Sequence, residues 1–139
     1  MSGSADDWNR RVIDEFRANA GTVEAFEGRP LLLLHHKGAK TGTERVNPLV
    51  YLPVGDAFAV FGSKAGGPTN PDWYHNLRAN PDTSVEVGTE TIPVRARVAE
   101  GAERDAIWEE QKRVNSNFAD YEQKTTRSIP VVILERVAS

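Results

Sequence analysis

No cysteine occurs in this chain. That absence excludes disulfide scaffolds, thiolate nucleophiles, iron–sulfur clusters and cysteine-based zinc sites together. Long apolar runs are missing as well. The longest, Pro30 to Leu34, falls far short of the roughly 20 residues that span a bilayer. The opening stretch, MSGSADDWNRRVIDEF, is acidic and then amphipathic, with no apolar signal core. A soluble, cytoplasmic protein is therefore expected. The third absence is positive charge: a formal net charge of −3 argues against a protein that coats nucleic acid.

Familiar catalytic arrangements are sparse too. His35 and His36 are adjacent on a strand-like run, so their side chains should point to opposite faces and cannot readily share an ion. His75 lies on a different element, and no metal site is expected. No nucleophile elbow marks a Ser/His/acid set. The carboxylates are scattered over helix faces.

What is present reads as one domain over residues 1–139, long enough to bury a core. Ser4 with Asp6 and Asp7 marks a helix start. Trp8, Val12, Phe16 and Ala20 then recur at helical spacing until Gly21, which predicts a helix over about residues 5–20. Its mixed charges favour packing on a core or partner, with peripheral membrane contact as the alternative. Strand patterns follow at Leu31 to His36, Val46 to Leu52 and Ala57 to Ser63. Asn70-Pro71-Asp72 predicts a helix entry capped by Asn70, and Asn80-Pro81 predicts its end. Thr83 to Val87 and Thr91 to Val98 read as a hairpin around Gly88. Gly101 to roughly Tyr121 reads as a helix broken near Asn115-Ser116-Asn117, and Ile129 to Val137 as a last strand. This order lacks the alternation of a parallel doubly wound sheet. It predicts a mostly β, α+β fold: a small antiparallel barrel of about six strands with peripheral helices. A first helix that covers one flank of such a barrel favours a monomer.

The most informative segment is KGAKTGTERVNPLVY, from Lys37 to Tyr51. Lys37, Lys40 and Arg45 crowd a turn punctuated by Gly38, Thr41, Gly42 and Thr43. Arginine can fork two bonds onto a phosphate, lysine adds a point charge, and glycine lets backbone N–H groups approach an anion. A solvated hairpin loop is the competing explanation. The order is wrong for a P-loop, and Lys40-Thr41-Gly42 lacks the partner boxes of penicillin-recognising enzymes. A second constellation, GSKAGGPTNPDWY from Gly62 to Tyr74, can lay backbone against a flat ring, while Lys64 reaches an acidic group; a flexible connector is its alternative. Trp108 falls inside an amphipathic pattern and is assigned to the core. Phe118 and Tyr121 follow the Asn-rich break, and packing is favoured for them over a lid or pocket wall.

Three motifs in order carry a family resemblance: KTG-x-x-R-x-NPL at Lys40 to Leu49, GSK-x-GG at Gly62 to Gly67, and NP-x-WY-x-NL-x-ANP at Asn70 to Pro81. In these the chain resembles the deazaflavin-dependent nitroreductases of actinobacteria, split β-barrel proteins that use coenzyme F-420, and the likeness spans nearly the whole chain. The resemblance implies that Lys40 and Arg45, with the backbone at Thr41 and Gly42, hold the coenzyme's phosphate and polyglutamyl part. It implies that Pro48 and Leu49 line the ring, and that Ser63, Lys64, Ala65, Gly66 and Gly67 follow its edge and linker. Trp73 would form pocket wall, and Phe118 and Tyr121 would cover the substrate side. Hydride transfer to a quinone, enone or nitroaromatic is the implied reaction, with Tyr121 or Ser63 as candidate proton relays beside solvent. Ala39 stands where some relatives carry arginine, and Asn115 and Phe118 where some carry tyrosine. Activity on a particular nitro compound is therefore not implied. The alternatives are an FMN-binding split-barrel reductase and a non-enzymatic carrier of coenzyme or hydrophobic ligand.

Overall fold

The structure is a computed structural model that describes residues 4–26, 30–62, 70–125 and 129–137. Helix α1 (Ser4–Ala18) and a short 3-10 turn (Glu24–Phe26) lead into strands β1 (Leu31–Lys37), β2 (Glu44–Val50), β3 (Leu52–Val54) and β4 (Ala57–Phe61). Helix α2 (Asp72–Ala79), strands β5 (Asp82–Val87) and β6 (Glu90–Val98), helices α3 (Gly101–Val114) and α4 (Asn117–Lys124), and strand β7 (Val131–Arg136) complete the chain.

All strand pairs are antiparallel, in the order β2-β1-β5-β6-β7-β4-β3. The two outermost strands of this order, β2 and β3, are separated in the chain by Tyr51 alone. A sheet whose edges are joined by one residue has to curl, and it forms the expected split barrel. The count is seven rather than six because the Val46-to-Leu52 run serves two ladders. Residues up to Val50 pair with β1, and those from Leu52 pair with β4. Between them the Tyr51 N–H turns to the Pro30 carbonyl at 3.1 Å.

Alternate strand residues divide among three apolar clusters. Leu32, Leu34, Phe58, Val60, Val85, Val94, Val132 and Leu134 fill the barrel interior, joined by Trp73 and Leu77 of α2. Their strand neighbours Ala59, Phe61, Val131 and Ile133 face outward under Ile107, Trp108 and Phe118 of α3 and α4. Leu31 and Leu33 face outward under Val12 and Phe16 of α1. The amphipathic stripe of α1 is thus consumed by the barrel flank; Trp8, expected on that stripe, is 45% exposed. Glu86 clips the helix down, accepting two bonds from the Arg17 guanidinium at 2.7 and 3.1 Å. The Arg17 hydrogen bond, outweighing partial burial, holds the Glu86 carboxyl below its ordinary range.

Two helix ends differ from the sequence reading. The first helix stops at Ala18, and the left-handed position falls on Ala20 (φ 55°) rather than on glycine. The Gly21 N–H bonds the Phe16 carbonyl at 2.8 Å, which makes this a Schellman cap with alanine in the usual glycine place. Gly21 follows at φ 99°, and an added Cβ there would lie 3.0 Å from the Gly88 Cα, so glycine is required on both counts. Ala20→Gly is expected to raise the unfolding free energy by about 0.5–1 kcal/mol, the penalty of a Cβ in that region, read from urea denaturation. The second helix begins at Asp72 with Pro71, not Asn70, in the capping position and no side-chain cap bond. Pro71 is extended there (ψ 154°), with its ring beside Gly62. The break at Asn115-Ser116-Asn117 separates α3 from α4 where the sequence places it.

Candidate coenzyme site

Lys37 pairs with Glu44, so residues 38–43 form the turn between β1 and β2. The Gly38 N–H bonds Thr43 O at 2.9 Å, the Gly42 N–H bonds Gly38 O at 2.8 Å, and the Thr43 N–H reaches Thr41 Oγ1 at 3.3 Å. Gly42 adopts φ 70° and would have no neighbour within 4 Å of an added Cβ. Lys40, Thr41, Gly42 and Arg45 are all exposed. Among the described residues no carboxylate engages Lys40 or Arg45, whereas Arg17, Arg95 and Arg113 are each held by a carboxylate and Arg97 by two. Lys40 on the open glycine turn and Arg45 at the start of β2, without ion pairs among the described residues, form a donor set that fits phosphate or carboxylate groups.

The register of β2 separates the two residues expected at the ring. Leu49 lies opposite Leu32 and packs on the interior cluster, while Pro48 lies opposite Leu33, a residue of the α1 cluster. Their side chains take opposite faces. Ser63, Lys64, Ala65, Gly66 and Gly67 lie outside the described residues. The loop's first anchor is described: the Gly62 N–H bonds Pro130 O at 2.9 Å, and an added Cβ would stand 2.6 Å from the Pro130 ring. Only glycine fits there without displacing Pro130.

The three aromatics expected around the substrate do not share one cluster. Trp73, 5% exposed, is interior core. Phe118, 7% exposed, packs outside the sheet with Phe61 and Trp108 at ring distances of 5.4 and 6.1 Å. Tyr121 is half-buried against Phe118 at 5.2 Å. Trp108 is core, as its pattern predicts. Two recesses open on described residues. One of about 260 Å³ lies between α2 and β6 over Leu77, Ala96 and Val132. One of about 390 Å³ lies beside the basic turn, lined by His35, His36, Lys37 and the carboxylates Glu44 and Asp82. Phe118 and Tyr121 line neither. The carboxylates in the second recess oppose an anionic ligand there.

His35 and His36 diverge as expected, and no group of metal-ligating side chains is present among the described residues. His35 Nε2 meets Glu86 at 2.7 Å. His36, 2% exposed, belongs to a polar network that the sequence reading missed. Its Nε2–H donates to Asn47 Oδ1 at 2.6 Å, and its Nδ1 accepts from Asn76 Nδ2–H at 3.0 Å. Asn76 Oδ1 in turn accepts the Ala39 N–H at 2.9 Å. These partners define a neutral Nε2–H imidazole. Burial pushes its pKa below the ordinary value, aided by Arg45 and His35 and opposed by the Asn47 bond and Asp72. A signal existed in the sequence: Asn47 sits inside the NPL motif and Asn76 inside NP-x-WY-x-NL.

Comparison with known proteins gives this geometry a family. The sequence model of the F420H(2)-dependent quinone reductase family matches residues 8–136. An F420H(2)-dependent quinone reductase of Mycobacterium tuberculosis strain H37Rv is 42% identical over 110 residues, covering 77% of this chain and 74% of the relative. The solved structure of an F420-H2 dependent reductase superposes with a TM-score of 0.70 at 40% identity, covering 77% of this chain and 95% of that one. A structure described as a domain-swapped dimer superposes with a TM-score of 0.72 at 36% identity, covering 94% and 99%. Matched along nearly its whole length, with the same curled antiparallel sheet, the chain belongs to the F420H(2)-dependent quinone reductase family.

Proposed function

We propose that this protein passes a hydride from reduced coenzyme F-420 to a quinone, with Lys40, Arg45 and the Thr41-Gly42 backbone holding the coenzyme's anionic tail. The observation that carries the site reading is the pair of exposed cations, Lys40 on the open glycine turn and Arg45 on the strand that leaves it, free of ion pairs among the described residues. Family membership favours the deazaflavin over FMN and an enzyme over a carrier. Bound in reduced form, the coenzyme supplies a hydride at carbon 5 to an electrophile stacked on it. The protein's part is to orient the two and exclude water. Leu49 is the better candidate of its pair for the ring, since its side chain shares a strand face with Arg45. Ser63, Lys64, Ala65, Gly66 and Gly67 remain the proposed ring-edge residues; Trp73 on the interior face, and Phe118 with Tyr121 on the outer face, are alternative proposed acceptor-side residues. Tyr121 and Ser63 remain the proposed proton relays beside solvent. Enones and nitroaromatics are further acceptors in this proposal.

The test is a fluorescence titration with the coenzyme, followed by oxidation of its reduced form on adding menadione. Lys40→Ala and Arg45→Ala should each weaken binding by about 1–3 kcal/mol, the range for a charge-assisted hydrogen bond. Normal binding by both variants would remove the tail site from the turn. A monomer in the cytoplasm completes the proposal, supported by α1 covering the β1–β2 flank. No described helix is long and apolar enough to cross a membrane, and the apolar face of α1 is engaged by the barrel, which weighs against membrane contact through it. Sedimentation of a stable dimer would retire the monomer.

A further inference from the structure

We infer that Asn76 is a positioning residue for the coenzyme's charged tail: with His36 and Asn47 it anchors the basic turn to the barrel so that Lys40 is presented in one place. The inference rests on the reading of the turn as the tail site. Its physical basis is where the hydrogen bonds of the turn go. Among the described residues, the bonds of Gly38, Gly42 and Thr43 stay within the turn. The bond of the Ala39 N–H leaves it, and its acceptor is the side chain of Asn76 on α2. Ala39 directly precedes Lys40, so this bond fixes the backbone from which that cation projects.

The support behind Asn76 has one consistent direction. Ala39 N–H donates to Asn76 Oδ1, Asn76 Nδ2–H donates to His36 Nδ1, and His36 Nε2–H donates to Asn47 Oδ1. Turning the Asn76 amide over would set donor against donor at Ala39 and acceptor against acceptor at His36. The network is therefore specified as a unit, and no described buried side-chain polar atom is left without a partner. Asn47 extends the anchor to β2, on the strand face it shares with Arg45. Asn76 is 6% exposed and stands next to Leu77, itself interior core. An apolar side chain there would suit the core, yet would leave the Ala39 N–H unanswered. A closed polar network at such a place contributes definition of geometry more than stability.

The test uses the full chain and two ligands: coenzyme F-420 and its deazaflavin chromophore lacking the phosphate and glutamates. Asn76→Ala should bind the complete coenzyme about tenfold more weakly, the equivalent of one buried hydrogen bond, and bind the tail-free chromophore as the parent does. A merely structural role would weaken both ligands alike, and that result, or no loss on either, overturns the inference. Lys40→Ala separates the two claims. If it discriminates between the ligands and Asn76→Ala does not, the positioning role alone fails; if neither does, the tail site and its anchor fall together. Amide hydrogen exchange on the unsubstituted protein tests the same point without a variant. The Ala39 N–H should be protected before coenzyme is added. Protection acquired only on binding would show that the ligand, not Asn76, shapes the turn.

Discussion

Trp108→Ala should lower the unfolding free energy by about 3–5 kcal/mol, the range for removing a large aromatic from a packed core. Trp108 is 1% exposed and meets the rings of Phe61 and Phe118 at 5.8 and 6.1 Å. Its indole N–H also donates to Glu122 Oε2 at 2.5 Å, across the Asn115–Ser116 break. Glu122 lies on α4, and its other oxygen accepts from Lys112 at 3.1 Å. Burial pushes the Glu122 carboxyl up, but the Lys112 and Trp108 bonds outweigh it and hold the group below its ordinary range. One side chain therefore fills the layer under α3 and latches α4 to it. Trp108→Phe keeps much of the volume and loses the latch, so its loss should be smaller, about 1–2 kcal/mol. Urea denaturation of both variants measures the difference. A loss below about 1 kcal/mol for Trp108→Ala would mean that the α3–α4 layer unfolds apart from the barrel.

His36→Leu is expected to destabilise the fold by about 2–4 kcal/mol, because it leaves Asn47 Oδ1 and Asn76 Nδ2–H buried without their partner. The same residue predicts a pH dependence. Its folded pKa lies below the unfolded value, chiefly through burial. Below about pH 6.5 the unfolded chain therefore holds more protons at this site than the folded one. Stability should fall as pH drops from there toward the folded pKa, and be fully present above it. Arg45, Asp72 and His35 set the rest of the field at this imidazole. Glu86, also depressed, acts in the same direction at lower pH, below the ordinary carboxylate range. Midpoints of thermal unfolding between pH 5 and 8 should slope in the parent protein and flatten in His36→Leu. An unchanged slope would put the titration elsewhere.

These residues show what could be read in advance. Strands and helices were legible because hydrophobic spacing and Gly, Pro and Asn punctuation act locally: the Gly88 turn, the Asn80-Pro81 stop and the break at Asn115 all hold. The Schellman cap on Ala20 was not legible, since glycine is the usual signal and Gly21 stands next door. Trp8 and Phe16 share a helical stripe, but of the two only Phe16 is buried against the barrel. Asn47 and Asn76 stand in motifs, but nothing in the sequence joined them to His36 as a group. Nothing local tells a strand histidine that its two partners lie 11 and 40 positions away.

The sequence by itself determined the family, the class of coenzyme and the turn that offers Lys40 and Arg45, because those rest on contiguous motifs and on charge. Tertiary structure decided that Leu49 rather than Pro48 faces the barrel interior, and that Trp73 and Phe118 belong to opposite sides of the sheet. It also decided that the basic turn is moored to the barrel through Asn76. Each of these depends on strand register and on which face of a curled sheet a helix covers. Register and coverage are set only when distant segments pack together.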